Sequence, residues 1–262
     1  MKRIDYCYHT HTKRCGHAEG EDEEYVLEAI NLGLKALGFS DHVMLPGIPP
    51  RTSRGPYELL DDYLDSINSL KEKYKDKIEI KVGFEAEYSK RFEEYYRYLY
   101  KEKKIDYLIL GQHFNFDNTD TPTYIRELRG DKEKIKSYVN HVRDAINSGL
   151  FQCIAHPDIY VCMFEHWNKD CEDAAREICE MASKARIPLE INCQLNIAYK
   201  KYPGKVRYPI DEFWKIASEY DVDVVIAYDA HRPIDFRENI DYAYELAKKY
   251  NLHLLENFRI IR

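Results

Sequence analysis

His9 and His11 stand two residues apart, and Asp229 and His231 repeat that spacing near the other end of the chain. In an extended strand, side chains two apart point to the same side, so each pair can offer two donors to one ion. Seven of the ten histidines, His9, His11, His17, His42, His113, His156 and His231, fall at or just past the ends of short apolar runs. Asp41, Glu85, Glu87 and Asn192 occupy equivalent places. Imidazole mixed with carboxylate suits zinc, iron or manganese and is a poor match to the oxygen cages of calcium or magnesium. Glu85 and Glu87 also share one strand face. One carboxylate can bridge two cations and set them to clamp both ends of a phosphoryl displacement. Glu85 reads as that bridge and Glu87 as its support, while His141, His166 and His253 read as packing or surface residues.

The elements that must position these groups alternate along the chain. Short β-branched or aromatic runs lie near Ile4–Tyr8, Ala36–Phe39, Ile78–Phe84, Tyr107–Leu110, Cys153–Ala155, Pro188–Ile191 and Val222–Ala227. Between them, Glu24–Leu34, Tyr57–Tyr74, Phe92–Lys103, Lys132–Ser148, Cys171–Ala185, Ile210–Glu219 and Ile240–Tyr250 carry apolar residues at three- and four-residue spacing. This is the pattern of βα units around a parallel sheet. Leu252–Phe258 is open between a last strand and a tail. In a closed α/β barrel the C-terminal strand ends meet at one face, so ligands more than 200 positions apart in sequence converge there.

At 262 residues the chain suits one domain spanning residues 1–262. Its formal charge of -7 disfavours nucleic acid, whose binding rests on Lys and Arg neutralising phosphates. Met1-Lys2-Arg3-Ile4-Asp5 runs straight into a polar histidine segment, and no apolar run approaches membrane-spanning length. The expected location is the cytoplasm, with no membrane partner. Seven cysteines, an odd number without a C-x-x-C pair, suit reduced thiols. Cys15 stands out because it lies close to three histidines.

His9-Thr-His11, Cys15-Gly-His17-Ala, Gly38-Phe-Ser-Asp-His42, Gly83-Phe-Glu85, Gly111-Gln-His113, Ala155-His156-Pro and Asp229-Ala-His231 resemble, in order, the successive motifs of the PHP (polymerase and histidinol phosphatase) family. The resemblance covers essentially the entire chain. It implies an α/β fold, a distorted (β/α)7 TIM-like barrel, and three adjacent divalent metal ions (zinc, manganese or iron). The first would take His9, His11, Glu85 and Asp229, the second Glu85, His113 and His156, the third His17, His42 and His231. Glu85, Asp229 and His231 are the candidate catalytic residues.

Within the family, chain length and the Arg14-Cys-Gly-His-Ala segment look most like the monofunctional histidinol-phosphatases. The implied substrate is a small phosphomonoester, histidinol phosphate, attacked by a metal-bridging hydroxide. Arg207 and Arg232 are the candidates for phosphate binding, ahead of Lys13 and Arg14, because a guanidinium matches two phosphoryl oxygens at once. Two loops depart from the family pattern, since Cys193-Gln-Leu-Asn-Ile follows Asn192 and Ile159-Tyr-Val-Cys-Met follows Asp158, neither with a basic group. The alternative is a phosphodiesterase or nuclease of the same family acting on nucleotides or oligonucleotide ends. An amidohydrolase would need a lysine bridge where Glu85 stands, and a non-catalytic domain would be expected to have lost ligands.

Overall fold

The computed structural model describes residues 4–48, 54–117, 122–128, 130, 132–194 and 208–255. Eight strands form one sheet: β1 (Tyr6–Cys7), β2 (Ala36–Phe39), β3 (Glu79–Ala86), β4 (Tyr107–Leu110), β7 (Cys153–Ile154), β8 (Leu189–Asn192), β9 (Asp223–Ala227) and β10 (His253–Leu254), in that spatial order. Every pairing in it is parallel. The helices are α1 (Asp22–Asn31), α2 (Leu60–Tyr74), α3 (Glu93–Lys101), α4 (Lys132–Ser148), α5 (Lys169–Ala185), α6 (Asp211–Ala217) and α7 (Asp241–Lys249). The fold is thus the distorted TIM-like barrel expected from the sequence. Leu252–Phe258 contributes the short strand β10, and its residues 256–258 lie outside the described residues.

The strands read as almost unbroken apolar runs because both of their faces are covered. In β3, Ile80, Val82 and Phe84 point outward into the main core, where the Tyr63 ring of α2 lies 4.9 Å from Phe84. The alternate residues, Lys81, Gly83 and Glu85, therefore face the lumen. A second, smaller apolar cluster of Tyr8, Ala36, Tyr107, Ile109, Cys153, Ala155 and Val225 fills that lumen. Gly83 is required there: a Cβ would come within 2.6 Å of Tyr107. The Tyr107 hydroxyl donates to the Tyr8 carbonyl across the interior at 2.8 Å.

Among the described residues β1 and β10 are the two ends of the sheet, and β10 pairs with β9 through His253↔Asp223 at the bottom. At the top, the chain beyond β1 bridges directly to the chain beyond β9 at Thr10↔Ala230, with His11 N donating to Ala230 O at 2.8 Å. That single bridge joins the first motif to the last. A two-stranded antiparallel hairpin, β5 (Phe114–Asn115) and β6 (Thr123–Tyr124), projects beyond β4 where the sequence suggests only a loop. No helix among the described residues is long and apolar enough to cross a membrane.

Candidate metal centre

Seven of the nine predicted ligands, His9, His11, His42, Glu85, His113, His156 and Asp229, are buried; His231 is half-buried and His17 exposed. They converge at the top of the barrel around Glu85. Its Oε1 lies 2.7 Å from His156 Nε2 and 3.5 Å from His113 Nε2, while Oε2 lies 3.0 Å from His42 Nδ1 and 3.5 Å from both His9 Nε2 and His11 Nε2. The two oxygens thus serve two separate sets of imidazoles, as a bridging carboxylate must. Gly111 makes the room: a Cβ there would overlap the Glu85 carboxylate. The neighbouring Gln112 anchors that turn by accepting from Tyr88 N at 2.8 Å and donating to Phe114 O at 2.7 Å.

Asp229 Oδ1 lies 2.9 Å from His11 Nε2 and 3.4 Å from His9 Nε2. Yet His9 Nε2, His11 Nε2 and Asp229 Oδ1 are all buried without a hydrogen-bond partner. Buried polar atoms are costly to leave unsatisfied, and three converging on one point are the donor set of a cation. The residues present therefore fit a divalent metal ion.

The imidazoles are aimed from behind. His9 Nδ1 donates to the Glu190 carboxylate at 2.9 Å, His231 Nδ1 to the Asp229 carbonyl at 2.9 Å and His17 Nδ1 to the Cys15 carbonyl at 3.3 Å. Each such bond fixes the tautomer and leaves the Nε2 lone pair for a metal. His11 Nδ1 faces Asp41 at 3.5 Å, and Asp41 is itself held by the Thr12 hydroxyl and by His42 N. Asn192 Nδ2 donates to Glu190 at 2.7 Å and to Asp229 at 2.9 Å, tying two of these groups together. His17 Nε2 and His231 Nε2 approach within 2.9 Å, two lone pairs that a cation between them would reconcile. Cys15 lies against the same pair, within ligand range of His17 and His231.

Electrostatics divide the cluster. Burial alone would lower the His9 imidazole, but Asp229, Glu190 and Glu85 outweigh it and hold it well above the usual histidine value. His11 is likewise raised against its burial, to about 9, by Asp229 and Asp41, and His156 is raised by Glu85. His17 is lowered, His42 is lowered well below the usual value, and His231 falls to about 3, in each case through burial and the charge of His11. Burial pushes the Glu85 carboxyl up, yet the imidazoles of His113, His9 and His42 hold it well below the carboxylate range.

Two of the predicted ligands carry unusual backbones. His156 has φ 30° and Asp229 φ 50°, left-handed conformations that cost non-glycine residues on the order of 1–3 kcal/mol and cluster at functional sites.

Glu87 lies behind His113, its Oε1 3.6 Å from His113 Nδ1 and 2.7 Å from Arg54 Nη2. Arg54 is itself buried and also donates to the Val43 carbonyl at 3.0 Å. Sequence reasoning does not find this arginine, since a lone Arg in a loop carries no pattern. Glu190 is likewise missed by the sequence reading, which singles out only Asn192 there, although Glu190-Ile-Asn192 repeats the two-residue spacing of the predicted ligand pairs at a strand end.

The proposed phosphate-binding residues fare differently. Arg207 lies outside the described residues. Arg232 directs Nε and Nη2 to Asp235 Oδ1 at 3.0 and 2.7 Å. Lys13 pairs with Glu21, and Arg14 with Asp22 and Asp62.

A family model described as PHP domain matches residues 8–194. Over 231 residues the chain is 28% identical to a Deinococcus radiodurans protein named "Probable histidinol-phosphatase", covering 86% of this chain and 85% of that one. It is 25% identical over 268 residues to a Lactococcus lactis histidinol-phosphatase, covering 98% and 95%. The crystal structure of histidinol phosphate phosphatase from Lactococcus lactis complexed with zinc, L-histidinol and phosphate aligns with a TM-score of 0.70 over 97% of this chain and 96% of that one. At 20% identity that likeness is one of fold.

Proposed function

The chain belongs to the PHP domain family, and from that membership and its donor geometry we propose that it is a metal-dependent phosphomonoesterase whose substrate is histidinol phosphate. The curated relatives that cover most of the chain carry histidinol-phosphatase names, which supports this choice of ester. The observation that carries the reading is the division of Glu85: one carboxylate presents its two oxygens to two sets of buried, preoriented imidazoles.

Following the sets that the family resemblance implies, His9, His11, Glu85 and Asp229 would hold one ion, Glu85, His113 and His156 a second, and His17, His42 and His231 a third. Divalent zinc, manganese or iron bound there supplies Lewis acidity toward phosphoryl oxygens and acidifies water at neutral pH. The protein's own part is positional. Glu190 and Asn192 keep His9 and Asp229 in register, and Glu87 sets the back of His113. In the net reaction the oxygen of water forms a new bond to phosphorus, the ester P–O bond breaks, and the leaving alkoxide takes up a proton.

The test is a comparison of phosphate release from histidinol phosphate, nucleoside monophosphates and a short oligonucleotide, using protein supplied with zinc or manganese. Turnover led by histidinol phosphate is expected. Cleavage of the diester alone would move the chain to the nuclease reading, and inactivity with every substrate after metal loading would remove the enzymatic one.

A further inference from the structure

A phosphate monoester carries two negative charges, and beside metal ions a guanidinium that no carboxylate already neutralises is the protein group best matched to its oxygens. Among the described residues close in sequence to the motifs, Lys13, Arg14, Arg54 and Arg232 are each paired with a carboxylate. The loop from Pro157 to Met163, which follows the ligand His156, contains no basic residue at all.

Arg126 differs from these. It lies two residues past the β5–β6 hairpin, whose register sets Phe114 opposite Tyr124 and whose end is held by Ile125 N donating to His113 O at 2.8 Å. The Tyr124 ring stacks on His113, 6.3 Å between centroids and 15° between planes. The Arg126 guanidinium lies 5.7 Å from the centre of that Tyr124 ring. Its other neighbour is Tyr208, close enough to act on the guanidinium electrostatically, whose ring lies 5.5 Å from His156. The cation is therefore flanked by two tyrosines that rest on the two histidines sharing Glu85 Oε1. It is solvent-facing and forms no ion pair with any described carboxylate.

We propose that Arg126 is the guanidinium that grips the substrate's phosphoryl oxygens in this chain, held in place by Tyr124 and Tyr208 beside the His113–His156 side of the metal centre. This inference rests on the phosphomonoesterase reading for its substrate but not for its anion. The cation–ring contact with Tyr124 restrains the planar fork, so less freedom is lost when it meets two oxygens at once.

The experiment uses the full chain loaded with zinc or manganese, as parent, Arg126→Gln and Arg126→Lys, with thermal melts to confirm folding. Two quantities are read: the affinity for inorganic phosphate by titration calorimetry, and KM and kcat for histidinol phosphate. Arg126→Gln should weaken phosphate binding and raise KM by about tenfold or more, the size of a lost charge-assisted contact, with a smaller fall in kcat. Arg126→Lys keeps the charge but not the fork and should recover part of both losses. Phosphate affinity and KM within about twofold of the parent in either folded variant overturn the proposal while the phosphatase reading stands. If the parent hydrolyses no phosphomonoester yet loses phosphate affinity on Arg126→Gln, the anion site stands and the phosphatase reading falls. A parent that binds no inorganic phosphate overturns the anion site, and the turnover assay alone then decides the phosphatase reading.

Discussion

The inner and outer halves of the candidate metal centre are built from the same side chain on different supports. His9, His11, His113 and His156 are buried beside Glu85, and the carboxylates of Asp229 and Glu190 complete that half. His17 and His231 sit on loops, are wholly or partly open to solvent, and are aimed by backbone carbonyls. The imidazoles respond in opposite directions, raised at His9, His11 and His156 and lowered at His17, His42 and His231. An ion in the inner half meets fixed negative charge in a medium of low dielectric, where the attraction is strong. An ion in the outer half meets neutral nitrogen donors near water. The same ligand chemistry should therefore yield a tightly held pair of positions and a weaker third.

Breaking the inner half should cost most. Glu85→Ala removes the one group shared by both inner positions and is expected to lower turnover by roughly a thousandfold or more, with loss of bound metal and little change in the thermal melt. Elemental analysis and calorimetry check both parts, and unfolding of the variant would instead make the metals structural. Gly111→Ala leaves every ligand in the sequence but drives a Cβ into the Glu85 carboxylate. A loss on the order of a hundredfold is expected, because displacement of a preorganised group by about 1 Å is enough. Near-parental activity in Gly111→Ala would show that Glu85 can reach its partners from another rotamer.

Glu190→Gln acts one step further out, through the Nδ1 of His9. Metal affinity or turnover should fall by about 10–100-fold, the usual range for a partner that orients a ligand histidine. His17→Ala should have the smallest effect, a loss of one equivalent of metal and a several-fold drop in turnover. Chelator titration sharpens the same comparison: one equivalent should leave the parent first, and that early phase should be absent in His17→Ala. An early phase that instead disappears in Glu190→Gln would invert the order argued from burial and charge.

The sequence makes the inner half more legible than its surroundings. Each strand is an apolar run that stops at a donor, as Val82-Gly-Phe-Glu85 and Val225-Ile-Ala-Tyr-Asp229 do, so the donors mark both the strand ends and the site. The hairpin from Phe114 to Tyr124 leaves no such trace, since two residues per strand are too few to establish a period. Arg54 and Arg126 are hidden for another reason. What distinguishes either from any loop arginine is a partner elsewhere in the chain, Glu87 for one and two tyrosine rings for the other. Arg232 shows the converse, a residue next to a ligand whose charge is answered three residues later by Asp235.

The Thr10–Ala230 bridge has a temporal meaning as well as a geometric one. The first donors of the chain, His9 and His11, cannot meet Asp229 until that residue has been made and β9 is in place. Contacts of such sequence separation form late, because the entropy of closing so long a loop must first be overcome. On the ribosome the ring of His9, His11 and Asp229 therefore stays open through most of synthesis and closes only after β9 has emerged.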